Sequence, residues 1–299
     1  LGITGVVITT FQEWAKNVLD LKDMQYMVRI GENEKEKDMY EFTKRTVLKE
    51  YSSDNKATYN KNIFALLNSM YEQYFSDKQI KLFAIQKQTK QLDRFDLVLL
   101  LQLFYKKHGS ISLMQDYYQM SKNGAAQKKR GRFPVEYSLI IFDEFQNYLG
   151  EQISLAKTTL NKKNKAVMYV GDMAQQTKLG TIRDWSEIDE DLSTDRKVIL
   201  QKVYRNTKQI LEYIQTLGYS VEIPDGIKNG SPVSEYISTS QTEEITYITN
   251  ILQQHKSKTI GILAKEPEYL DAFKKAYRND DAVHCMSMGE AQGLEFDIV

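Results

Sequence analysis

The segment SLIIFDEFQNYLG, residues 138–150, contains a run of four apolar side chains that stops at two carboxylates. An uninterrupted apolar run of this length predicts a strand buried on both faces, as in the parallel sheets of α/β proteins. Asp143 and Glu144 would then lie at the carboxyl end of that strand, where open parallel sheets bind their ligands. The pair alone is also compatible with a solvated turn or the first turn of a helix. An α/β fold with acids at a sheet edge is therefore the first expectation.

The composition limits the classes of protein to which the chain can belong. Its 299 residues suffice for about two domains, and the 40 basic and 40 acidic side chains give a formal charge of zero, so any nucleic-acid site has to be local. The single cysteine, Cys285, excludes an internal disulfide and favours a reducing, cytoplasmic location. Three scattered histidines predict no metal cluster. The longest apolar run, residues 97–105, is far shorter than the ~20 residues of a membrane span and predicts a buried helix.

The order of patterns along the chain predicts three regions. A β-branched run at residues 6–9 leads into helical spacing, which predicts a strand followed by a helix. From about residue 22 to residue 131 the pattern is helical with no clear strand, and residues 123–134 are interpreted as a basic linker. We therefore predict a first α/β domain at residues 1–21 and 132–196, a helical insertion at residues 22–131, and a second α/β domain at residues 197–299.

Strands and helices alternate regularly after residue 132. This alternation predicts βαβ units and a parallel sheet. Pro267 near the start of a predicted helix and Lys274 near its end agree with the preferences of helix termini. The predicted elements are strands at residues 138–142, 166–170, 197–204, 259–263 and 281–288, and helices from about Gln146 and after the strand at 259–263.

Polar residues also follow the second strand of this series. About thirty residues after Asp143, the segment VGDMAQQT places Asp172 and Gln175 at the end of the strand at 166–170. Because the carboxyl ends of parallel strands lie at one edge of a sheet, we expect these side chains to lie near Asp143 and Glu144. Taken alone, Asp172 is equally compatible with a helix cap.

Two later segments complete an ordered set. The predicted strand at 197–204 ends in Tyr204 and Arg205, with Thr207 placed to cap the next helix. The segment QGLEFD follows at residues 292–297 and contains Gly293 and Glu295. Each residue alone is explained as well by a core position, a turn or a solvated charge.

In this order and spacing, the segments resemble the motifs of UvrD-like helicases of superfamily 1, a group that includes HelD-type RNA-polymerase remodelling proteins. The resemblance spans the chain apart from the helical insertion, and it implies two RecA-like domains of the P-loop NTPase type. The matching segments are DEFQ at 143–146 (motif II), GDMAQ at 171–175 (motif III), YRN at 204–206 (motif IV), QGLEFD at 292–297 (motif V) and TTFQEW at 9–14 (motif Ib region).

The resemblance implies ATP hydrolysis in a cleft between the two domains, coupled to movement on single-stranded DNA in the 3′ to 5′ direction. Hydrolysis of a γ-phosphoryl group needs Mg²⁺, an oriented water and cations against the developing charge. The implied roles are Asp143 holding Mg²⁺, Glu144 activating water, Gln175 and Arg205 contacting the γ-phosphate, Tyr204 stacking on adenine, Glu295 accepting a ribose hydroxyl, Gly293 and Asp172 completing the nucleotide site, and Thr10, Phe11 and Trp185 contacting nucleic acid.

The sequence departs from the family pattern in several places. The Gly-x-x-x-x-Gly-Lys phosphate loop and the arginine-bearing motif VI are absent from all 299 residues. We therefore expect the chain to be cut from a longer protein, and to bind ATP weakly without turning it over. Trp185 follows Gln175 by about ten residues rather than about five, so a core position is the alternative to base stacking. The cations at residues 128–132 either contact phosphates or are merely solvated.

Two other functions stay open on the sequence. A HelD-like factor would grip RNA polymerase through the helical insertion at residues 22–131, and unwinding would not be its activity. An inactive scaffold would bind nucleic acid but not ATP. Co-purification with polymerase distinguishes the first, and failure to bind a nucleotide analogue distinguishes the second.

Overall fold

The structure is a computed structural model that describes residues 5–51, 58–163, 165–176, 178–188, 190, 196–198, 206–219, 221–255 and 257–299. The chain divides into two compact units, Leu1–Glu190 and Asp191–Val299. Both units combine helices with parallel strands, so the predicted α/β class is confirmed. The identity of the units as RecA-like domains, and the predicted boundaries, stay predictions.

The first unit contains six described helices and six described strands. Its longest buried helix begins at Asp93, whose carboxylate accepts the backbone N–H groups of Phe95 and Asp96, and it ends at Gly109 with a φ of 72°. The elements are α1 (Phe11–Leu19), β1 (Gln25–Tyr26), α2 (Glu34–Tyr51), α3 (Ile63–Tyr71), α4 (Asp77–Gln88), β2 (Gln91–Leu92), α5 (Arg94–His108), β3 (Ser112–Met120), β4 (Ala126–Pro134), β5 (Leu139–Asp143), α6 (Gly150–Lys157) and β6 (Ala166–Val170).

The main core of this unit surrounds α5, as the apolar run at residues 97–105 predicts. Buried side chains of α1, α2, α3 and α6 pack against it. A lysine is enclosed in this core: Lys44 is fully buried, with Nζ 2.6 Å from Asp93 and 2.9 Å from Asp96. Although burial opposes the charged form, the two carboxylates raise the pKa of Lys44 well above its ordinary value. The helical region therefore shares one core with α1 and α6.

Two strand predictions for this unit are wrong. Residues 112–134 form a hairpin in which β3 and β4 pair antiparallel over nine residues each, so the segment interpreted as a basic linker is a strand. The β-branched run at residues 6–9 forms no described strand, and the side chain of Ile8 is 95% exposed. A strand needs a partner for its backbone groups, and residues 6–9 have none among the described residues.

The predicted parallel pair after residue 138 is confirmed. β5 and β6 pair in parallel, with Asp143 opposite Val170 at the carboxyl edge. One face packs against α6 through residues such as Phe142 and Ile153. The other face is exposed, with Leu139 51% and Ile141 56% accessible, so burial on both faces is wrong. The predicted helix from Gln146 is a short 3₁₀ turn, Phe145–Asn147, and α6 begins at Gly150.

The second unit has the same strand and helix alternation. Its parallel strands and the helix start at Pro267 agree with the sequence prediction, and Ile298 adds a bridge beside Ile260. The predicted strand at 197–204 lies mostly outside the described residues. The described elements are α7 (Lys208–Thr216), α8 (Gln241–Gln254), β7 (Ile260–Ala264), α9 (Asp271–Ala276) and β8 (Val283–Ser287).

No helix in the described part of the chain is both long enough and apolar enough to cross a membrane.

Candidate active site

The carboxyl edge of β5 and β6 brings four of the predicted site residues together. Asp143 is the last residue of β5, and Glu144 follows it with both carboxylates exposed. Glu144 has a φ of 51° and a ψ of 43°, a left-handed conformation that non-glycine residues rarely adopt. The backbone N–H of Glu144 donates to Oδ1 of Asp143 at 3.1 Å. The chain therefore turns sharply at the edge, with the two acids adjacent.

Gln146 joins the ends of the two strands. Its side chain is fully buried, and Nε2 donates to Oε2 of Glu144 at 2.6 Å. Its Oε1 accepts the backbone N–H of Asp172, the second residue after β6, at 3.2 Å. A buried amide costs free energy unless its polar atoms are paired, and here both ends are paired. Gln146 consequently fixes the orientation of the Glu144 carboxylate relative to the strand end of β6.

Gly171 makes this link sterically possible. A Cβ atom at residue 171 would lie 2.1 Å from Oε1 of Gln146 and 2.9 Å from Cδ1 of Phe145. Real Cβ atoms do not approach other heavy atoms so closely, and Oε1 belongs to a buried side chain that is held at both ends. The glycine of the GDMAQ segment is thus required by the position of Gln146.

The segment after Gly171 carries the second acid and the second amide. Asp172 and Gln175 are both exposed, and Nε2 of Gln175 donates to Oδ2 of Asp172 at 2.9 Å. Residues Met173–Gln175 form a 3₁₀ turn. A line of hydrogen bonds therefore runs from Glu144 through Gln146 and Asp172 to Gln175.

Aromatic side chains pack against the residues at this edge. Phe145 is buried, stacks on Trp185 with ring centroids 4.7 Å apart, and meets Tyr169 edge-on. Trp185 also contacts Tyr169 and is partly buried against the same cluster, and its predicted contact with nucleic acid stays a prediction. Burial, with a smaller contribution from Asp143, raises the pKa of Tyr148 above its ordinary value and keeps the phenol neutral at pH 7.

The exposed acids suit a Mg²⁺ ion that is shared with a substrate. Within the described ranges, no group of three or more His, Cys, Asp or Glu side chains could hold a metal ion alone. Mg²⁺ in nucleotide sites, however, is held by one or two carboxylates, and the remaining ligands are water and phosphate oxygens. Asp143 is exposed and accepts from the Glu144 N–H through Oδ1. One accessible carboxylate at the strand end fits that mode.

Two further predicted residues, Thr10 and Phe11, lie at the start of α1. Thr10 caps α1 by accepting the N–H of Glu13 at 3.2 Å. Phe11 is buried, with the rings of Trp14 and Tyr148 tilted and edge-on to it, and its predicted contact with nucleic acid stays a prediction.

In the second unit, Gly293 and Glu295 are exposed, and Gly293 has a φ of 84° in a turn after β8. Tyr204 and Arg205 lie outside the described residues, and their predicted roles stay predictions. Thr207 is at the first position before α7 as predicted, but its side chain makes no capping hydrogen bond.

The sequence analysis missed the roles of Gln146 and Gly171. Both belong to the quoted motifs, but neither was assigned to the site. The available signal was an amide two residues after a carboxylate at a strand end, together with a glycine directly after the neighbouring strand. A glycine at such a place indicates a close approach of another group to the backbone.

No model of a known protein family matches this chain, and no curated protein resembles it significantly.

Proposed function

We propose that the carboxyl edge of β5 and β6 is the ATP-hydrolysing site of a DNA translocase or helicase that moves 3′ to 5′ on single-stranded DNA. The observation that carries the proposal is the buried Gln146, which ties exposed Glu144 to the end of the neighbouring strand. ATP hydrolysis needs one carboxylate beside a metal and a second that is held toward water. The motif resemblance supports the choice of nucleotide and DNA.

Each side chain at the edge has a distinct role in this proposal. Asp143 holds Mg²⁺, whose positive charge stabilises the phosphate oxygens when it is bound. Glu144 accepts a proton from the attacking water. At the same time the water oxygen bonds to the γ-phosphorus, and the bond between that phosphorus and the leaving ADP breaks. Gln146 holds the Glu144 carboxylate in place. Gln175 contacts the γ-phosphate and is linked through Asp172 to the side-chain amide of Gln146.

The proposal requires a phosphate-binding loop in addition to the 299 residues, which themselves contain Tyr204 and Arg205. For the 299 residues alone we expect weak nucleotide binding and no turnover, since no Gly-x-x-x-x-Gly-Lys loop occurs in them.

Turnover of ATP by a Glu144→Gln variant of the full-length protein tests the proposal. The amide keeps the size of the side chain but cannot accept a proton, so we expect turnover to fall by about 10²–10⁴ while nucleotide binding is retained. Glu136→Gln is the matched control, because Glu136 is an exposed acid just before the opposite end of the same strand. Unchanged turnover in Glu144→Gln, or an equal loss in Glu136→Gln, would remove Glu144 from the mechanism.

A second candidate function is binding to RNA polymerase, which the resemblance to HelD-type proteins suggests, and α2 offers an exposed apolar pair for such a contact. Met39 and Phe42 lie one turn apart on this helix and are 53% and 60% exposed. Adjacent exposed apolar side chains are typical of protein contacts. Co-purification with polymerase that is lost in Phe42→Ala, without unwinding of a tailed duplex, would favour this function over the helicase.

A further inference from the structure

The β3–β4 hairpin concentrates positive charge in a chain whose formal charge is zero. Residues 112–134 contain five cations and one acid, Asp116. The described side chains of residues 115–130 are all exposed apart from Ser121, which is partly buried. Nine-residue strands extend about 30 Å at roughly 3.3 Å per residue. The cations are Lys122, Lys128, Lys129, Arg130 and Arg132.

The two faces of the hairpin differ in chemistry. Directly opposed residues of antiparallel strands share a face, so Tyr118 opposite Lys128 and Asp116 opposite Arg130 form one surface, here called the basic face. On the other face, Tyr117 and Phe133 pack edge to face, with centroids 5.5 Å apart. The other face is therefore partly covered by its own rings, whereas the basic face presents its side chains to solvent.

Charge on the basic face is only partly neutralised. Lys128 contacts Asp116 at 2.9 Å in an exposed ion pair. This hydrogen bond and the nearby cations Lys128, Arg130 and Lys22 lower the pKa of Asp116. One acid thus faces several cations. Tyr118, 73% exposed, lies beside them with its ring accessible.

The base of the hairpin is anchored to the helical core. Nη1 of Arg132 donates to the carbonyl oxygen of Val18 at 2.9 Å and to that of Ser112 at 3.2 Å. The Arg132 guanidinium also lies over the ring of Phe104, 4.9 Å from its centroid. An isolated two-stranded hairpin is marginally stable in water, so this anchor positions the exposed basic face.

We infer that the basic face of the hairpin binds single-stranded DNA, through phosphate contacts from Lys128 and Arg130 and base stacking on Tyr118. Cations that track a backbone, interleaved with an exposed aromatic ring, are the usual recognition elements for single strands. An acidic protein surface would account for the cations, and the exposed ring beside them favours bases that can stack on it. The choice of DNA among polyanions rests on the proposed function. Binding of a polyanion by the basic face, however, does not require ATP.

Binding of a fluorescent dT20 oligonucleotide to the 299-residue chain, without nucleotide, tests the inference. The double variant Lys128→Gln, Arg130→Gln should weaken binding at least about tenfold and reduce the slope of log affinity against log salt by about 1.4, at ~0.7 per lost phosphate contact. The matched control is Lys61→Gln, Lys81→Gln, which removes two exposed cations from the same unit. Its affinity should change less than about twofold.

A second pair of variants tests the ring without changing charge. Tyr118→Ala should weaken binding about fivefold or more, and Tyr118→Phe, which keeps the stacking face, should restore it. Thermal melts of each variant establish that it is folded. Because no ATP is present, a failure of the hydrolysis proposal would leave these results unchanged.

Four outcomes would overturn the inference. The first is equal weakening by the two double variants, and the second is a Tyr118→Ala variant that binds as tightly as the parent chain. The third is competition by poly-glutamate as effective as that by unlabelled dT20, which would assign the face to an acidic protein partner. The fourth is tighter binding of rU20 than of dT20, which would assign it to RNA.

Discussion

Replacing Gly171 by alanine should disrupt the candidate site in a way that can be measured as stability. The added Cβ would lie 2.1 Å from Oε1 of Gln146, a buried atom held by the N–H of Asp172. Gln146 would have to move and give up two hydrogen bonds. Buried hydrogen-bonding groups left unpaired cost about 1–3 kcal/mol each. One of the two partners, the exposed Glu144 carboxylate, can be solvated again. We therefore expect a loss of about 2–4 kcal/mol in the free energy of unfolding.

Chemical denaturation followed by tryptophan fluorescence measures this loss, since Trp185 stacks on Phe145 next to the altered residue. For a unit of this size, the melting temperature should fall by about 5–15 °C. Gly124→Ala is the control, because Gly124 has a φ of 81° in the hairpin turn and no atom within 4 Å of the added Cβ. It should cost only the left-handed strain of about 1–2 kcal/mol.

A double-mutant cycle isolates the contact between the two residues. In a Gln146→Ala background, Gly171→Ala should cost at least about 1 kcal/mol less than in the parent chain, because the obstructing amide is gone. A Gly171→Ala loss no larger than that of Gly124→Ala, or additive losses in the cycle, would refute the close packing of Gln146 against Gly171.

Two further predictions concern the fold. Lys44→Met should lower the free energy of unfolding in urea by about 3–5 kcal/mol, because it leaves two buried carboxylates without their cation. Lys81→Met, at an exposed position, should change it by less than about 0.5 kcal/mol. A similarly small effect of both substitutions would contradict the burial of the Lys44 ion pairs. In the second unit, the backbone N–H and hydroxyl of Thr259 donate to the Asp297 carboxylate and lower its pKa below 3.8. This carboxylate therefore adds stability above about pH 4 that is lost as the pH falls through its folded-state pKa. NMR titration should show the pKa of Asp297 rising in Thr259→Val, and an ordinary value in both proteins would exclude the interaction.

The elements that the sequence predicted correctly are those whose signal is local. The apolar run before Asp143 is a strand, the run at residues 97–105 is a buried helix, and Pro267 begins a helical turn. Each depends on periodicity or on the backbone preferences of a single residue, which act within a few positions. The parallel pairing of β5 and β6 followed from the strand and helix alternation alone.

The predictions that failed depend on partners distant in sequence. The run at residues 6–9 has the composition of a strand but no described pairing partner. The hairpin was obscured because Lys128, Lys129 and Arg130 mask its alternation, although Asn123 and Gly124 are a typical hairpin turn signal. In the site, the acids were predictable from their strand ends. The role of Gln146 was not, since it depends on the approach of Gly171 from the next strand.

Binding of Mn²⁺ with ATP to the full-length protein, followed by electron paramagnetic resonance, tests the central claim most directly. Mn²⁺ replaces Mg²⁺ at oxygen ligands and gives a spectrum that changes on binding. If the edge of β5 and β6 is the nucleotide site, Asp143→Asn should weaken Mn²⁺·ATP binding at least about tenfold. Glu144→Gln and Glu136→Gln should bind it as the parent protein does. Equal Mn²⁺·ATP affinity in Asp143→Asn and the parent would place the metal and its nucleotide elsewhere and contradict the account.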